Sequence, residues 1–271
     1  MQLQNQIYIG SHQRQSVYDL NILDPFNQTI ILFIHGYKGY KDWGAWQLME
    51  NVFADSGYGF CKFNLSHNGG TVEQPIDFPD LEAFSENRYS YEVNDVNSMI
   101  DLLQEKFPNC KIVLMGHSRG GGNAILCSSH PAVDGVITLA AISSVKYRFR
   151  HSEVMDQWKK DGVRYETNSR TQQKMPLKYI QYLDFLENEK LLDIEAYARK
   201  LNKPCVHFHG SHDESIKIEE GIALASWTKA ALYVLENSAH TFESAHPWQK
   251  EELPAAMQFI VNKSISFLDS I

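Results

Sequence analysis

The chain has 271 residues, 43% of them hydrophobic and 21% charged, and its 33 acidic residues against 25 basic ones give a net charge of −8. These proportions are ordinary for a globular protein and exclude a disordered, collagen-like or coiled-coil chain. The length fits one domain with an insertion, and the lack of a Lys/Arg cluster argues against nucleic acid as a partner.

The chain begins with residues 1–6, which carry neither a basic segment nor a long apolar stretch. The longest obvious apolar run, residues 30–34, is far shorter than the ~18 residues needed to cross a bilayer. We therefore expect neither an export segment nor a membrane partner. The four cysteines are widely spaced, without a CxxC pair, and predict reduced thiols in a cytoplasmic protein.

Short apolar runs alternate with longer amphipathic segments, a pattern typical of a parallel sheet covered by helices on both faces. The pattern predicts an α/β fold with a mostly parallel, eight-stranded sheet. The predicted strands are residues 6–9, 15–22, 29–34, 59–64, 111–115, 135–140, 204–209 and 231–235. The predicted helices are residues 43–54, 91–107, 119–128, 218–229 and 248–268.

Two segments interrupt this alternation. Residues 65–89 form a long loop rich in Gly, Pro, Asn and Asp, of a kind that often borders a functional site. Residues 144–202 carry helical patterns at 153–160 and 178–192 and a possible hairpin around 167–169. We expect this second segment to be an insertion within a single domain that spans residues 1–271.

The predicted strand at 111–115 runs directly into Gly116-His117-Ser118-Arg119-Gly120 and then into a helix, so a G-x-S-x-G pattern stands in its strand-turn-helix setting. The turn is so tight that only small residues fit two positions either side of the serine. Ser118 is therefore predicted to be an exposed nucleophile. A phosphate-binding turn is the alternative, but neither G-x-G-x-x-G nor a P-loop is present. Cys110 and Cys127, the other candidate nucleophiles, stand in no motif.

A serine nucleophile needs a general base and a group that orients the base. Asp213 follows the predicted strand 204–209, at the edge where open α/β sheets bind ligands, and is the predicted orienting acid. Glu214 is its nearest competitor, and a helix N-cap is the structural alternative for Asp213.

The predicted base is His240, which follows the strand 231–235 in a loop. His246 stands in a similar local sequence, but Pro247 after it suggests the start of a helix. We therefore favour His240.

The turn after strand 29–34 is where an acyl-transfer site places one amide donor for the developing oxyanion. The backbone N–H of Tyr37 is that candidate, and the N–H of Arg119 is the second. His35, at the beginning of this turn, is expected to have a structural role.

With these motifs in this order, the sequence resembles the α/β-hydrolase fold family over essentially its whole length. Within the family, His35-Gly36-Tyr37-Lys38-Gly39 and the insertion look similar to cinnamoyl or feruloyl esterases and serine-peptidase-like members. The resemblance implies a triad of Ser118, Asp213 and His240, an acyl-enzyme intermediate, no cofactor, and a lid formed by residues 144–202.

No zinc-binding motif is present, and we predict no metal. His207 and His209 alternate on one strand, and we expect one to be buried and the other to lie at an edge. Aromatic residues of the insertion either line an acyl pocket or pack among themselves. They are Phe149, Trp158, Tyr165, Tyr179 and Tyr182.

The function predicted from these residues is hydrolysis of a small-molecule carboxylic ester. A peptidase acting on short peptides is the first alternative, and it would use an acidic residue of the long loop to bind a free amine. The candidates are Glu73, Asp77, Asp80, Glu82 and Glu86. A catalytically silent receptor is the second alternative, but such a protein would be expected to have lost part of the triad.

Overall fold

The computed structural model describes residues 1–149 and 152–271. The strands are β1 (Gln2–Ile9), β2 (Gln15–Asn21), β3 (Thr29–Ile34), β4 (Gly59–Phe63), β5 (Lys111–His117), β6 (Val133–Leu139), β7 (Val163–Thr167), β8 (Lys174–Lys178), β9 (Cys205–Gly210) and β10 (Ala231–Leu235). The helices are α1 (Trp46–Asp55), α2 (Leu81–Glu86), α3 (Tyr89–Lys106), α4 (Arg119–Leu126), α5 (Ser152–Asp161), α6 (Ile180–Glu187), α7 (Ile194–Lys200), α8 (Ile218–Thr228) and α9 (Ala255–Leu268).

Eight of the strands form one sheet within the described residues, in the order β1-β2-β4-β3-β5-β6-β9-β10. β2 runs antiparallel to both of its neighbours, and every other neighbouring pair is parallel. The predicted α/β class with a mostly parallel eight-stranded sheet is therefore confirmed. β3 and β5 lie in the centre of the sheet, where both faces are covered, which is why their sequences are continuous apolar runs.

Side chains of β3 alternate between two hydrophobic clusters on opposite faces of the sheet. Ile30, Leu32 and Ile34 pack with residues of α3, α4, α7 and α8. Ile31 and Phe33 pack with residues of α1 and α9. This alternation follows from the two-residue period of a strand, and it places the carboxyl ends of the central strands between two helical layers. None of the helices in the described residues has both the length and the apolar character needed to cross a membrane.

The C-terminal helix begins later than its apolar periodicity suggests. It starts at Ala255 rather than at residue 248, with Pro254 as the N-cap. A proline inside a helix lacks the N–H that bonds to the preceding turn, and it also disfavours helical geometry in the residue before it. The predicted helix start at His246 and Pro247 is wrong for this reason, because Pro254 sets the boundary.

The two halves of the insertion pack against different parts of the protein. Its hairpin, β7 and β8, contributes Met175 and Leu177 to a small cluster with Phe78 and Phe84 of the long loop. The predicted helix 178–192 is instead two helices, because α6 ends at Glu187 and α7 begins after a separate N-cap. α6 and α7 supply buried side chains to the main core beside the sheet. The hairpin end of the insertion is therefore the part that packs over the long loop.

Candidate active site

Ser118 lies between β5 and α4 with a backbone φ of 57° and ψ of −120°, a conformation that L-residues rarely adopt. A Cβ on Gly116 would lie 2.1 Å from the carbonyl oxygen of Gly120, and one on Gly120 would lie 2.3 Å from the carbonyl oxygen of Ile34. Only glycine fits at either position. The two glycines of the motif thus permit the turn that presents Ser118. Ser118 is 8% exposed and lies at a cavity, so the prediction that it is exposed is wrong.

The structure brings Ser118, His240 and Asp213 together. Nε2 of His240 lies 3.0 Å from Oγ of Ser118, and Nδ1 of His240 lies 2.7 Å from Oδ2 of Asp213. With the proton on Nδ1, the ring donates to the carboxylate and leaves Nε2 free to accept the serine proton. This arrangement can deprotonate the hydroxyl as a carbonyl carbon is attacked.

Asp213 is held by its own loop. Its Oδ1 accepts hydrogen bonds from the backbone N–H groups of Ser215 at 2.9 Å and Ile216 at 2.8 Å. Burial alone would raise the pKa of Asp213, but the hydrogen bond and charge of His240 and the Ile216 amide hold that pKa below its ordinary value. Glu214 is exposed, and α8 begins only at Ile218, so Asp213 is not its N-cap.

His117 supports the loop that carries His240, a contact that the sequence analysis missed. Its Nε2–H donates to the carbonyl oxygen of His240 at 2.9 Å, and the two rings lie 4.8 Å apart. Burial, together with the nearby His240, lowers the pKa of His117 to about 3, so the ring is a neutral donor. Its position beside the nucleophile in the G-x-S-x-G motif is the signal that points to it.

His246 lies elsewhere, against the loop that leads into α1. Its Nδ1 accepts the backbone N–H of Gly44 at 2.9 Å, and its ring meets those of Tyr40 and Trp43 at 5.2 and 6.2 Å. These contacts are structural. The histidine within hydrogen-bonding distance of Ser118 is therefore His240.

Residues 35–39, which follow β3 and are called the oxyanion loop below, run beside the nucleophile. A Cβ on Gly36 would lie 2.9 Å from that of Ser118. Within residues 1–149 and 152–271, the backbone N–H groups of Tyr37 and Arg119 donate to no other protein group. Both amides are thus available to a bound oxyanion.

His35 anchors the start of the oxyanion loop. Its Nε2 accepts the backbone N–H of Leu65 at 3.1 Å, and its Nδ1 lies 2.9 Å from the carbonyl oxygen of Gly36. Burial lowers the pKa of His35 to about 4. A neutral ring with these two backbone contacts joins the ends of β3 and β4.

The side chain of Arg119 also contacts the oxyanion loop, through the ring of Tyr37. Its guanidinium lies 4.3 Å from the ring centres of both Tyr37 and Tyr89, and it forms an ion pair of 3.1 Å with Glu92. Glu92 also accepts a hydrogen bond of 2.8 Å from Asn123. The side-chain partners of Arg119 on α3 are distant in sequence, so local patterns predict a role only for its amide.

A cavity of about 120 Å³ opens beside Ser118. The oxyanion loop, Trp43, Trp46, His117, His240 and Thr241 complete its lining. An empty apolar cavity of about 150 Å³ can hold benzene, so a group that fits here is small. The two tryptophans were not identified as site residues from the sequence, although Trp43 follows the oxyanion loop closely.

The aromatic residues predicted as a possible pocket wall do not line this cavity. Phe149 packs against Trp158, Tyr182 and Phe185, with ring centres 5.2 to 6.4 Å apart. Tyr165 is 62% exposed. Of the two interpretations of these residues, packing within the insertion is the one that their contacts support.

Most acidic residues of the long loop are paired with cations. Asp77 pairs with Arg170, Asp80 with Arg14 at 2.7 Å, and Glu82 and Glu86 with Lys178 at 2.5 Å each. Glu73 lines a separate, open surface groove. Four of the five candidate amine-binding residues therefore already have counterions.

His207 and His209 are both buried, so the prediction that one of them lies at an edge is wrong. The nitrogens of His207 lie 2.7 and 2.8 Å from the hydroxyls of Thr138 and Thr228. His209 donates from Nε2 to the carbonyl of Ile216 at 2.9 Å. In the part of the chain that the structure describes, no group of three or more His, Cys, Asp or Glu residues is arranged to hold a metal ion.

The chain is similar to several known proteins. A family model described as serine aminopeptidase, S33, matches residues 27–193. No curated protein matches. Est1E from Butyrivibrio proteoclasticus, with ferulic acid bound, is 14% identical with a TM-score of 0.68, and the match covers 98% of this chain and 98% of that one.

Two further solved structures have a similar fold. The esterase domain of a Rhodothermus marinus protein is 15% identical with a TM-score of 0.66, over 98% of this chain and 97% of that one. The monoacylglycerol lipase of Paleococcus ferrophilus is 14% identical with a TM-score of 0.67, over 93% of this chain and 99% of that one. At these identities the likeness is one of fold.

Proposed function

The chain belongs to the serine aminopeptidase S33 family of α/β hydrolases, and from this premise we propose that it hydrolyses a carboxylic ester through an acyl-enzyme on Ser118. The family match and the sheet confirm the α/β-hydrolase resemblance inferred from the sequence. The observation that carries the proposal is the pair of hydrogen bonds that links Ser118 to His240 and His240 to Asp213, at 3.0 and 2.7 Å.

In the proposed reaction, Oγ of Ser118 attacks the ester carbonyl while Nε2 of His240 takes its proton. Asp213 keeps the ring in the required tautomer and stabilises its positive charge. The amides of Tyr37 and Arg119 bind the oxyanion, and the helix dipole of α4 also favours that charge. His240 then protonates the leaving alcohol, and water activated by the same ring releases the acid.

The cavity beside Ser118 supports a small acyl group as the substrate class. The carbonyl oxygen must face the oxyanion loop, and the same loop forms one wall of the cavity of about 120 Å³. The leaving-group side must open to solvent, because the hydrolytic water enters there. The cavity beside this loop is therefore assigned to the acyl chain.

Hydrolysis of a peptide amide is the second candidate, since the matching family is described as an aminopeptidase. Such an enzyme needs an acidic group to bind the free amine of its substrate. Asp77, Asp80, Glu82 and Glu86 are paired with cations, and Glu166, which contacts the oxyanion loop, is paired with Lys38 at 3.0 Å. This pairing favours the ester.

A silent receptor with a hydrolase fold is disfavoured, because such a protein has no need for a hydrogen-bonded Ser-His-Asp set.

A cytoplasmic site of action is part of the proposal as well. It is supported by the four cysteines, all of them within the described residues and all free thiols, of which Cys61 and Cys127 are buried.

A substrate panel tests the proposal. The wild-type chain and Ser118→Ala are assayed on acetyl, butyryl, octanoyl and hydroxycinnamoyl esters and on aminoacyl anilides. We expect the short-chain esters to have the highest kcat/KM, and Ser118→Ala to lower kcat by roughly 10⁴ to 10⁶. Faster turnover of the anilides would favour the peptidase, and undiminished turnover by Ser118→Ala would exclude Ser118 as the nucleophile.

A further inference from the structure

Glu166 of β7 joins the insertion to the oxyanion loop. Its Oε2 accepts a hydrogen bond from the Tyr37 hydroxyl at 3.2 Å and lies 3.0 Å from Nζ of Lys38. Its Oε1 lies 3.3 Å from the guanidinium of Arg164 on the same strand. One carboxylate of the insertion thus holds two consecutive residues of the oxyanion loop.

Polar and charged groups hold Tyr37 from two directions, and its ring also meets that of Phe84 on α2 at 5.8 Å. The Arg119 guanidinium lies 4.3 Å from its ring centre, and Glu166 accepts its hydroxyl. Arg119 is in turn paired with Glu92 of α3 at 3.1 Å. A continuous chain of contacts therefore runs from the main body, through the residue after the nucleophile, to the insertion.

The oxyanion loop needs such support. Lys38 has a φ of 55°, in the left-handed region that costs a non-glycine residue conformational energy. The contacts of Lys38 and Tyr37 with Glu166 oppose relaxation of this backbone. Burial alone would raise the pKa of Glu166, but the hydrogen bond and charge of Lys38 hold it below its ordinary value, so the carboxylate stays charged in neutral solution.

We propose that Glu166 is a positioning residue that holds the Tyr37 amide in place for the oxyanion, so that the insertion contributes to the rate of the chemical step. The inference rests on the proposed function. An oxyanion donor is useful only where its N–H meets the charge that develops in the transition state. Loosening the loop should therefore slow the chemistry for every ester, whatever its acyl chain.

The chain offers a matched control. Lys178 at the end of β8 also joins the insertion to the body, through Glu82 and Glu86 of α2 at 2.5 Å each. Within the part of the chain that the structure describes, the Lys178 ammonium bonds to these two glutamates and not to the oxyanion loop. A substitution there weakens docking of the insertion on α2 but leaves the polar contacts of Tyr37 and Lys38 with Glu166 in place.

The experiment compares Glu166→Gln with Lys178→Gln on an acetyl ester. We expect Glu166→Gln to lower kcat about 10-fold with little change in KM, since removing a whole oxyanion donor costs roughly 10² to 10³. The affinity for an alkyl trifluoromethyl ketone, which forms a tetrahedral adduct, should fall by a similar factor. Lys178→Gln should stay within about 2-fold on both measurements. Tyr37→Phe, which keeps the ring beside Arg119, is a second variant and should resemble Glu166→Gln.

Equal effects of Glu166→Gln and Lys178→Gln would overturn the inference, because they would reflect docking of the insertion alone. Unchanged kcat and ketone affinity in both Glu166→Gln and Tyr37→Phe would overturn it too. Absence of Ser118-dependent turnover in the wild-type chain would instead overturn the proposed function, and with it the inference.

Discussion

A serine hydroxyl is a weak nucleophile in neutral water, and Ser118 differs from the other serines of the chain in what surrounds it. The hydroxyls of Ser66 and Ser211 also lie near imidazole nitrogens, at 2.8 and 3.1 Å. The imidazole 3.0 Å from the Ser118 oxygen differs because a carboxylate holds it, at the carboxyl edge of the sheet. The same ring is fixed by Asp213 at one nitrogen and, through its backbone carbonyl, by His117. The proposed reactivity is thus a property of four residues rather than of one.

The two histidines with similar local sequences should behave differently when truncated. His240→Ala removes the proposed base and should lower kcat by roughly 10⁴ or more. His246→Ala removes an acceptor for the Gly44 amide and a ring beside Trp43, so it should mainly lower the melting temperature. Steady-state kinetics and a thermal melt of each variant check this. The reverse pattern of activity loss would mean that His246 is the base.

Local patterns in the sequence were enough to single out Ser118, Asp213 and His240, because each follows a strongly apolar strand within a few residues. The side-chain role of Arg119 could not be found in this way. Its contacts with Tyr89 and Glu92 exist only because α3 packs beside α4. Residues that act through partners from distant parts of the chain leave no local pattern.

The loop between β3 and α1 sets the size of the site. Trp43 and Trp46 wall the cavity beside Ser118, and Trp43 is the less buried of the two. Replacing Trp43 with alanine should lengthen the cavity without removing any group proposed to act in the chemistry.

We expect Trp43→Ala to raise the ratio of kcat/KM for a hexanoyl ester to that for an acetyl ester by roughly 10-fold or more, as expected for a small change in an apolar pocket. Ester kinetics at several acyl lengths measure this ratio. Leu183→Ala, on α6 and 39% exposed, provides a control that should leave the ratio unchanged. An unaltered ratio in Trp43→Ala would show that the acyl chain lies elsewhere.

The second half of the insertion, α6 and α7, contributes side chains to the main hydrophobic core. Ile194 of α7 is 1% exposed and would contact a Cβ on Gly122 of α4 at 2.9 Å. Leu186 of α6 is 45% exposed. Truncation at these two positions should therefore differ in its cost.

Ile194→Ala should lower the free energy of unfolding by about 2 to 5 kcal/mol, the range for truncating a buried aliphatic side chain, and Leu186→Ala by much less. Urea denaturation of both variants provides the measurement. Equal small losses would mean that α7 is peripheral and that the whole insertion acts as a lid.

The strands could be predicted because buried parallel strands are short apolar runs between turn residues. The break between α6 and α7 and the late start of α9 could not be read from periodicity, since apolar residues continue through both regions. N-caps decide these boundaries: Asp193 accepts the N–H of Ala196 before α7, and Pro254 precedes α9. The packing of the insertion was also beyond local patterns, because it depends on the long loop.

At the scale of the whole molecule, buried neutral histidines tie stability to pH. Burial lowers the pKa of His35, His67 and His207 to about 4 and that of His117 to about 3. The unfolded chain binds these protons near the ordinary pKa of ~6.5. Acidification from that value toward 4 therefore favours the unfolded state, and above it these groups have no effect.

The free energy of unfolding should fall between pH 6.5 and pH 4.5, by up to about 1.4 kcal/mol per pH unit for each such histidine. Replacing His207, which lies between two threonine hydroxyls, with glutamine should reduce the slope by about that amount. Urea denaturation at a series of pH values measures both slopes. A free energy of unfolding that stays constant over this range would contradict the burial of neutral rings.

The most direct measurement for the proposed function is to find which residue carries the acyl group. The wild-type chain, Ser118→Ala and His240→Ala are each treated with a fluorophosphonate and with a slowly deacylating ester, and the modified peptide is identified by mass spectrometry. Both reagents should modify Ser118 in the wild-type chain. Neither should modify the Ser118→Ala variant, and His240→Ala should react far more slowly. Modification of another residue, or equal labelling of Ser118→Ala, would contradict the acyl-enzyme mechanism.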